Sequence, residues 1–374
     1  VPSVEGYGLP RQGCALPRND KDFNYKEELF MKKLLSVMLS ALMLTAALAG
    51  CGSSSAPAGS GSNAGSAPSD QGDVYKVAIV QPMSHTSLDQ IRDTIVSKLN
   101  ASGKQVEITT ENANGDTSAL TTILSNCKAQ GVDLVIPIAT STAQSAKTVF
   151  EDSGLPIVFA AVSDPVAAGL TGEGCQNITG VSNNIPAAEI VKLIFNFQPD
   201  CQKIGFLYTS SETNSVSTIN AAKAYCDQEG IAYEETSIAN LSELQTAVET
   251  LLSRGVDALY TGNDNSIASA MATYTDAAYA KGVPVYCGAD SMVADGGFAT
   301  IGVNYVQLGT QVANLALKVL DGTSPADLPY ETLSDYARYV NLQAAARLGD
   351  PFPTDAYQGY DVLVEADGTS HFGQ

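Results

Sequence analysis

The sequence predicts an α/β fold of two doubly wound lobes, each with a parallel sheet, and three observations lead to this prediction. Short apolar strands alternate with helices of about 10–15 residues from residue 74 onward. The alternation runs twice, and QGVDLVIPIATSTAQ in the first round is echoed by RGVDALYTGNDNSIA in the second. The chain has 374 residues, enough for two lobes that each bury a core. Strands that alternate with helices form right-handed βαβ units in parallel sheets.

The first round begins at residue 74. Its predicted strands are 75–80, 105–109, 134–138, 156–160 and 178–181. Its predicted helices are 88–99, 117–130 and 142–152. The first helix is predicted by apolar residues at positions 88, 91, 95 and 99, which fall on one helical face. Gly131 and Gly154 follow the other two helices as C-caps.

The second round begins with a helix and ends near the C-terminus. Its predicted helices are 186–197, 216–229, 241–254, 267–281 and 306–320. Its predicted strands are 203–208, 232–236, 258–261, 283–287, 299–302 and a short C-terminal strand region around 337–341. Gly230 follows the second of these helices as its C-cap.

The first 51 residues are predicted to lie outside the fold. Met31-Lys32-Lys33 opens an apolar run of about 16 residues, which is typical of a secretory signal over residues 31–50. The run is shorter than the roughly 20 residues that span a bilayer, which disfavours the alternative of a membrane anchor. Because a signal begins a protein, residues 1–30 are predicted to be translated upstream sequence with Met31 as the true start. Residues 51–73 are rich in Ser, Gly, Ala and Pro and predict a flexible tether.

The charge balance excludes one class of function. Lys and Arg number 20 against 40 Asp and Glu, for a net charge of −20 and a pI near 4.3. Nucleic-acid binding needs a basic surface that displaces phosphate counterions, so no nucleic-acid partner is predicted. An anionic membrane surface would repel the protein as well.

Polar residues follow nearly every predicted strand in both lobes. Ligands of open parallel sheets bind beyond the carboxyl ends of the strands, where helix N-termini present free N–H groups. The candidate ligand-binding residues are therefore Ser84, His85, Ser87, Thr140, Ser141, Thr142, Ser163, Asp164, Ser210, Ser211, Asn214, Asn263, Asp264 and Asp290. Each of these could instead be a simple helix N-cap. Their recurrence at so many strand ends favours a small polar ligand held between the lobes.

No catalytic motif appears in the sequence. It contains neither G-x-S-x-G nor a Walker A match, and no cofactor or metal is predicted. His85 is the only histidine in a strand-end loop, and one such histidine makes neither a triad nor a metal site. It is either a ligand contact or a solvated loop residue. The protein is predicted not to be an enzyme.

The cysteines leave two alternatives open. Five cysteines lie beyond the predicted signal and tether, and their odd number leaves at least one thiol unpaired: Cys127, Cys175, Cys201, Cys226 and Cys287. Cys201 and Cys226 fall at the same end of one βα unit, which suits a disulfide. Buried free thiols fit the pattern equally well.

The chain resembles the substrate-binding lipoproteins of ABC importers. Leu48-Ala49-Gly50-Cys51 resembles a bacterial lipobox, which implies lipidation of Cys51 and cleavage before it. YKVAIVQPMSHTSLDQIRDTI, DLVIPIATSTAQSA, PIVFAAVSDPVAAGL and NITGVSNN are similar to the branch that includes tryptophan and other aromatic amino-acid binders. The similarity covers roughly residues 74–348.

This resemblance implies a type I periplasmic-binding-protein fold with a three-segment hinge. The chain would cross between lobes near 182–184, 303–304 and 333–335. One lobe would comprise residues 74–183 with 304–334, and the other residues 184–303 with 335–374. The protein would be a monomeric, lipid-anchored, extracytoplasmic receptor that closes on its ligand and delivers it to an ABC permease and its ATPase.

The same resemblance implies that the ligand is an α-amino acid with an aromatic or apolar side chain. It also implies which residues of the cleft contact each part of this ligand. The ligand carboxylate would meet Ser141 and Thr142, with Ser163 and Asp164 in the next loop. The ammonium group would meet Asp264 or Asp290, or else Asp164. Three aromatic residues near strand ends could stack on the ligand ring: Phe159, Tyr208 and Tyr260. The alternative is that these three side chains pack in the core. A sugar or nucleoside ligand, or signalling to a membrane kinase, remains an alternative function.

Overall fold

The computed structural model describes residues 74–372 and builds them around two separate β-sheets. The predicted upstream segment, signal, tether and lipidated Cys51 lie outside the described residues. No helix within residues 74–372 combines the length and the apolar character needed to cross a membrane.

The first round of elements forms most of the first lobe. In chain order it contains β1 (Tyr75–Gln81), α1 (Thr86–Asn100), β2 (Val106–Asn112), α2 (Thr117–Ala129), β3 (Leu134–Pro137), α3 (Thr140–Phe150), β4 (Ile157–Ala160) and β5 (Ile178–Ser182). Strands β3 and β4 are buried at every residue, as central strands of a parallel sheet with helices on both faces must be. The predicted apolar face of α1, at positions 88, 91, 95 and 99, is buried throughout.

The second round forms most of the second lobe. In chain order it contains α4 (Ala187–Phe197), β6 (Lys203–Thr209), α5 (Thr213–Glu229), β7 (Ala232–Ile238), α6 (Leu244–Ser253), β8 (Ala258–Thr261), α7 (Asn265–Ala268), α8 (Met271–Tyr279), β9 (Val285–Cys287), α9 (Asp290–Ala294) and β10 (Ala299–Gly302).

The C-terminal elements divide between the two lobes. They are α10 (Tyr305–Leu320), β11 (Glu331–Thr332), β12 (Ala337–Asn341), α11 (Leu342–Arg347) and β13 (Asp361–Val364). The first sheet has the order β11-β5-β4-β3-β1-β2 and the second β13-β12-β10-β9-β8-β6-β7. All pairs are parallel except β10 with β12. The chain passes between the sheets after β5, after β10 and after β11, which confirms the predicted fold class with its three-segment hinge.

Several predicted elements need correction. The predicted helix 267–281 is two helices, α7 and α8, and the predicted helix 241–254 starts as a 3₁₀ turn at Leu241–Glu243. Four short elements, α9, α11, β11 and β13, are not predicted from the sequence, because segments of two to six residues are too short to show a hydrophobic period. The predicted cysteine alternatives are also resolved, since all five described cysteines are buried free thiols.

Candidate functional site

A cavity lies between the two lobes at the carboxyl ends of the parallel strands. It is lined by His85, Ser87, Leu88, Thr140, Ala161, Ser163, Asn183, Asn214, Asn263, Asp264, Asn265, Ala268, Ala289, Met292 and Tyr305. These residues follow strands β1, β3, β4 and β5 of the first sheet and β6, β8, β9 and β10 of the second. The position matches the expectation that ligands of doubly wound sheets bind beyond the strand ends.

The structure brings half of the predicted site residues to this cavity. Those that line it are His85, Ser87, Thr140, Ser163, Asn214, Asn263 and Asp264. Those that do not line it are Ser84, Ser141, Thr142, Asp164, Ser210, Ser211 and Asp290. Contact of any of them with a ligand stays a prediction.

Several residues outside the lining have other partners. Ser84 is exposed and accepts a hydrogen bond from Asn112 Nδ2 at 2.8 Å. Ser210 donates to the Ile238 carbonyl at 3.1 Å, and Ser211 is exposed. Asp164 Oδ2 accepts from Ser217 Oγ of the second lobe at 3.2 Å. These side chains serve turns or lobe contacts rather than the cavity wall.

Asp264 is a helix cap inside the cavity wall. Its oxygens accept from the backbone N–H groups of Thr209 at 2.6 Å and Ile267 at 2.9 Å. They also accept from Thr209 Oγ1 at 2.9 Å and Ser215 Oγ at 2.5 Å. Burial, with the nearby Glu212 charge, raises the pKa of Asp264 to about 7. Four donors occupy the four acceptor positions of this carboxylate, so an ammonium group would meet its charge rather than a free lone pair.

Asp290, the other predicted ammonium partner, starts α9 and is buried outside the cavity lining. Its Oδ1 accepts from the Ser291 backbone N–H at 2.7 Å. Burial raises the pKa of Asp290 to about 7. Its carboxyl group therefore sits in an environment that disfavours the charged form.

The first-lobe wall of the cavity contains an open helix end. Helix α3 starts at Thr140 with no side-chain cap, since the preceding residue is Ala139. The Thr140 hydroxyl is buried and has no hydrogen-bond partner within the described part of the chain. Free N–H groups and the helix dipole make such an end favourable for an anion, and a hydroxyl adds one more donor.

The second-lobe wall contains an unused acceptor. Asn263 Nδ2 donates to the Asn183 carbonyl at 3.4 Å, which leaves Asn263 Oδ1 on the other side of the amide. That oxygen is buried and unpartnered among residues 74–372. The cavity is thus lined by a residue with an unused donor on one lobe and by a residue with an unused acceptor on the other.

Direct contacts hold the lobes together around the cavity. His85 Nε2 lies 3.2 Å from Asn265 Oδ1, and Thr86 Oγ1 donates to Asp295 Oδ2 at 2.9 Å. The Ser87 and Ser291 hydroxyls are also hydrogen-bonded. Because His85 contacts α7 and the first turn of α1 contacts α9 and the residue after it, the lobes must separate for a ligand to enter.

The aromatic residues in the cavity differ from those that the sequence suggested. Phe159 and Tyr260 are buried in the core, Tyr208 is half-buried, and none of them lines the cavity. Core packing, the stated alternative, is therefore the outcome for Phe159 and Tyr260. Tyr305, which begins α10, lines the cavity instead.

Sequence reasoning also missed Asn183, Asn265 and the apolar lining residues. Asn265 belongs to the polar loop after β8 that supplied Asn263 and Asp264, so the loop composition was its signal. Asn183 follows β5 on the first crossing between lobes. The sequence prediction considered loops that join a strand to a helix of the same lobe, so it did not include this crossing. Within residues 74–372 no cluster of three or more His, Cys, Asp or Glu could hold a metal ion.

A cavity at the strand ends of two lobes joined by three crossings defines a class of receptors that close on a small ligand by hinge bending. Residues 76–354 match the family of ABC transporter substrate binding proteins, and the chain belongs to that family. The family binds extracytoplasmic solutes for transport, which confirms that the protein is not an enzyme and implies a permease partner.

Three relatives are similar to this chain over most of its length. A tyrosine-binding protein of Clostridioides difficile is 28% identical over 317 residues, which cover 83% of this chain and 90% of the relative. A Streptococcus pneumoniae domain solved in complex with L-Trp has a TM-score of 0.72 and 33% identity, covering 78% of this chain and 99% of that one. The ligand-free, open structure of a Clostridium difficile substrate binding protein has a TM-score of 0.59 and 30% identity, covering 78% and 99%.

Proposed function

We propose that this protein is an extracytoplasmic receptor that binds an aromatic α-amino acid between its lobes and delivers it to an ABC permease. The observation that carries the proposal is that a donor, Thr140 Oγ1, and an acceptor, Asn263 Oδ1, belong to lining residues of one cavity and have no partner in the described part of the chain. A zwitterionic amino acid supplies a carboxylate for the first and an ammonium group for the second. The ligands of the tyrosine-binding relative and of the L-Trp complex support the aromatic side chain.

In this proposal the carboxylate lies at the N-terminus of α3. Thr140 Oγ1 and the first-turn N–H groups of Ser141 and Thr142 donate to it, and the helix dipole adds to the attraction. The ammonium group lies against Asn263 Oδ1, with the Asp264 charge behind it. Leu88, Ala268 and Met292 supply the apolar surface for the side chain.

The remaining parts of the proposal concern the rest of the chain. The protein is anchored by a lipid on Cys51 after removal of residues 31–50, and it acts as a monomer. Its acidic surface keeps the anchored receptor from adhering to the membrane beside it. Incorporation of labelled fatty acid into the wild-type protein, and its loss in Cys51→Ser, would test the anchor.

The ligand is tested by thermal unfolding of refolded, ligand-stripped protein with amino acids, sugars and nucleosides. An aromatic amino acid at 100 times its Kd is expected to add about 2.7 kcal/mol of stability. Stabilisation by a sugar or nucleoside alone would contradict the proposal.

A variant pair tests the assigned carboxylate site. Thr140→Val removes the cavity hydroxyl and is expected to weaken binding about tenfold, because it deletes a hydrogen bond to a charged group. Thr179→Val removes another buried hydroxyl that has no partner among the described residues. This one lies outside the cavity lining, and affinity is expected to stay unchanged. Equal affinities of both variants and the wild type, measured by calorimetry, would remove Thr140 from the site.

A further inference from the structure

Glu212 anchors the second-lobe side of the cavity. This buried carboxylate precedes α5 and accepts from the backbone N–H groups of Asn265 at 2.9 Å and Ser266 at 2.8 Å. It also accepts from Ser266 Oγ at 2.7 Å and Asn214 Nδ2 at 3.2 Å. With these donors the carboxylate is held at the N-terminus of α7 as an acceptor only.

Glu212 fixes which way the Asn265 amide points. Asn265 Nδ2 donates to Glu212 Oε2 at 2.8 Å, and the reverse orientation would place two oxygen acceptors together. Asn265 Oδ1 is therefore the atom that faces His85 Nε2 at 3.2 Å across the cleft. Because a carbonyl oxygen accepts and cannot donate, Nε2 must carry the proton.

The other nitrogen of His85 is then left with a lone pair. In a neutral imidazole protonated at Nε2, Nδ1 is an acceptor. Burial lowers the pKa of His85 below its usual value, which favours the neutral imidazole. The Asn265 hydrogen bond and the charges of Glu212, Asp89 and Asp295 act in the opposite direction and are the smaller effects. Nδ1 is buried without a partner among residues 74–372, on a side chain that lines the cavity.

Apolar side chains line the cavity on the same elements as His85 and its contacts across the cleft. Leu88 lies one turn further along α1, and Ala268 lies one turn from Asn265 on α7. Met292 neighbours Ser291, the partner of Ser87. Thr140, with the donor, comes from the loop after β3, and Asn263, with the acceptor for a zwitterion, lies two residues before Asn265 in the loop after β8. A ligand whose zwitterion contacts these two residues has Leu88, Met292 and His85 among the remaining lining residues for its ring.

We propose that His85 Nδ1 accepts a hydrogen bond from a donor on the ligand ring, a phenol O–H or an indole N–H, and so selects such rings over an unsubstituted phenyl ring. This inference rests on the proposed function, since it takes an aromatic amino acid as the ligand. Glu212 and Asn265 act as positioning residues that hold His85 in the accepting tautomer.

Calorimetry with L-tyrosine, L-tryptophan and L-phenylalanine tests the selectivity. The wild type is expected to bind a donor-bearing amino acid at least about tenfold more tightly than phenylalanine, since phenylalanine would leave Nδ1 buried and unpaired. His85→Phe is expected to bring this ratio within about threefold by weakening the donor-bearing ligand. His371→Phe changes the other histidine, near the C-terminus, and is expected to keep the wild-type ratio.

The outcomes separate the two proposals. Binding of all three amino acids with equal affinity, or a ratio that survives in His85→Phe, would overturn the role of His85 and leave the aromatic receptor standing. Binding of none of the three would overturn the proposed ligand, and the selectivity with it.

The ring ¹⁵N spectrum of the ligand-free chain tests the tautomer without any ligand. The chain has 2 histidines, so His85→Phe and His371→Phe assign both sets of signals. His85 is expected to show a protonated Nε2 and a bare Nδ1 at pH 7. A proton on Nδ1 would overturn the inference, even if tyrosine and tryptophan bind.

Discussion

Two alanines at the cavity hold backbone conformations that residues with side chains rarely adopt. Ala139 has φ of 72° and Ala161 φ of 55°, and they follow β3 and β4 at the cavity edge. Each is held by a sheet hydrogen bond of 2.9 Å, from Ala139 N to the Ala160 carbonyl and from Ala161 N to the Val181 carbonyl. Such strain costs about 1–3 kcal/mol and persists where the surrounding structure enforces it. The sequence could not predict it, because alanine, unlike glycine or asparagine, carries no signal for positive φ.

Asp290→Asn is expected to stabilise the protein more at pH 8 than at pH 5. Burial raises the pKa of Asp290 to about 7, whereas the pKa in the unfolded chain is near 4. The protonated Asp290 therefore contributes its full stabilisation below about pH 4, and this stabilisation is lost as the pH rises toward 7. The amide is neutral at every pH and keeps an oxygen for the Ser291 N–H. The difference in free energy of unfolding between Asp290→Asn and the wild type is expected to increase by about 2–3 kcal/mol from pH 5 to pH 8.

Denaturant unfolding at pH 5 and pH 8 measures this difference. Asp200→Asn serves as the control, because Asp200 is an exposed acid whose replacement is expected to have the same small effect at both pH values. An Asp290→Asn gain that does not change with pH would show that this carboxyl group titrates normally in the folded protein.

At the scale of elements, long periodic segments were predictable and short ones were not. Apolar residues at helical spacing located α1 and α10 to within two residues at each end. The break between α7 and α8 falls in a run without Gly or Pro, so no residue marks it. α7 instead depends on tertiary contacts: Asp264 caps its start and Glu212 accepts its first N–H groups.

Gly309→Ala is expected to destabilise the first lobe by about 1–2 kcal/mol. Gly309 lies where α10 packs on α1, and a Cβ there would come within 2.8 Å of Thr94 Cβ and 3.0 Å of the Ile91 carbonyl oxygen. Overpacking of this kind costs about 1–3 kcal/mol, against about 1 kcal/mol that alanine gains over glycine in a helix. The backbone oxygen cannot rotate away, so we expect the cost to exceed the gain.

Asn314→Ala on the same helix is the matched control, since Asn314 is exposed and alanine favours helices. Thermal or denaturant unfolding is expected to show a loss for Gly309→Ala and little change for Asn314→Ala. A stabilised Gly309→Ala protein would mean that α10 can move away from α1 at little cost.

At the scale of the whole molecule, the order of strands and helices in each lobe was more predictable from the sequence than the residues that line the cavity. Strand-end loops supplied His85, Thr140 and Asn263, because the carboxyl ends of parallel strands meet at one sheet edge. Asn183 and Tyr305 come instead from the crossings between lobes, and Asn183 Nδ2 lies 3.5 Å from Tyr305 Oη. Their place in the cavity depends on how the lobes are closed, which a pattern within each lobe cannot specify.

Thr86→Val is expected to weaken ligand binding about fivefold by making closure less favourable. Thr86 donates to Asp295 across the lobes at 2.9 Å, and neither residue lines the cavity. Valine keeps the shape of the side chain and removes the donor, at a cost near 1 kcal/mol for a hydrogen bond at an accessible edge. Since tight binding requires the closed form, a smaller closed fraction lowers the apparent affinity by the same factor.

Calorimetry and small-angle scattering together test this role for Thr86. The ligand-free variant is expected to have a larger radius of gyration than the wild type, and saturating ligand is expected to bring the two proteins to the same value. Thr246→Val, which changes an exposed threonine on α6, is expected to alter neither measurement. A weakened affinity with an unchanged radius of gyration would place the effect of Thr86 on the ligand site itself rather than on closure. An unchanged affinity would show that the hydrogen bonds of His85 and Ser87 hold the lobes closed without Thr86.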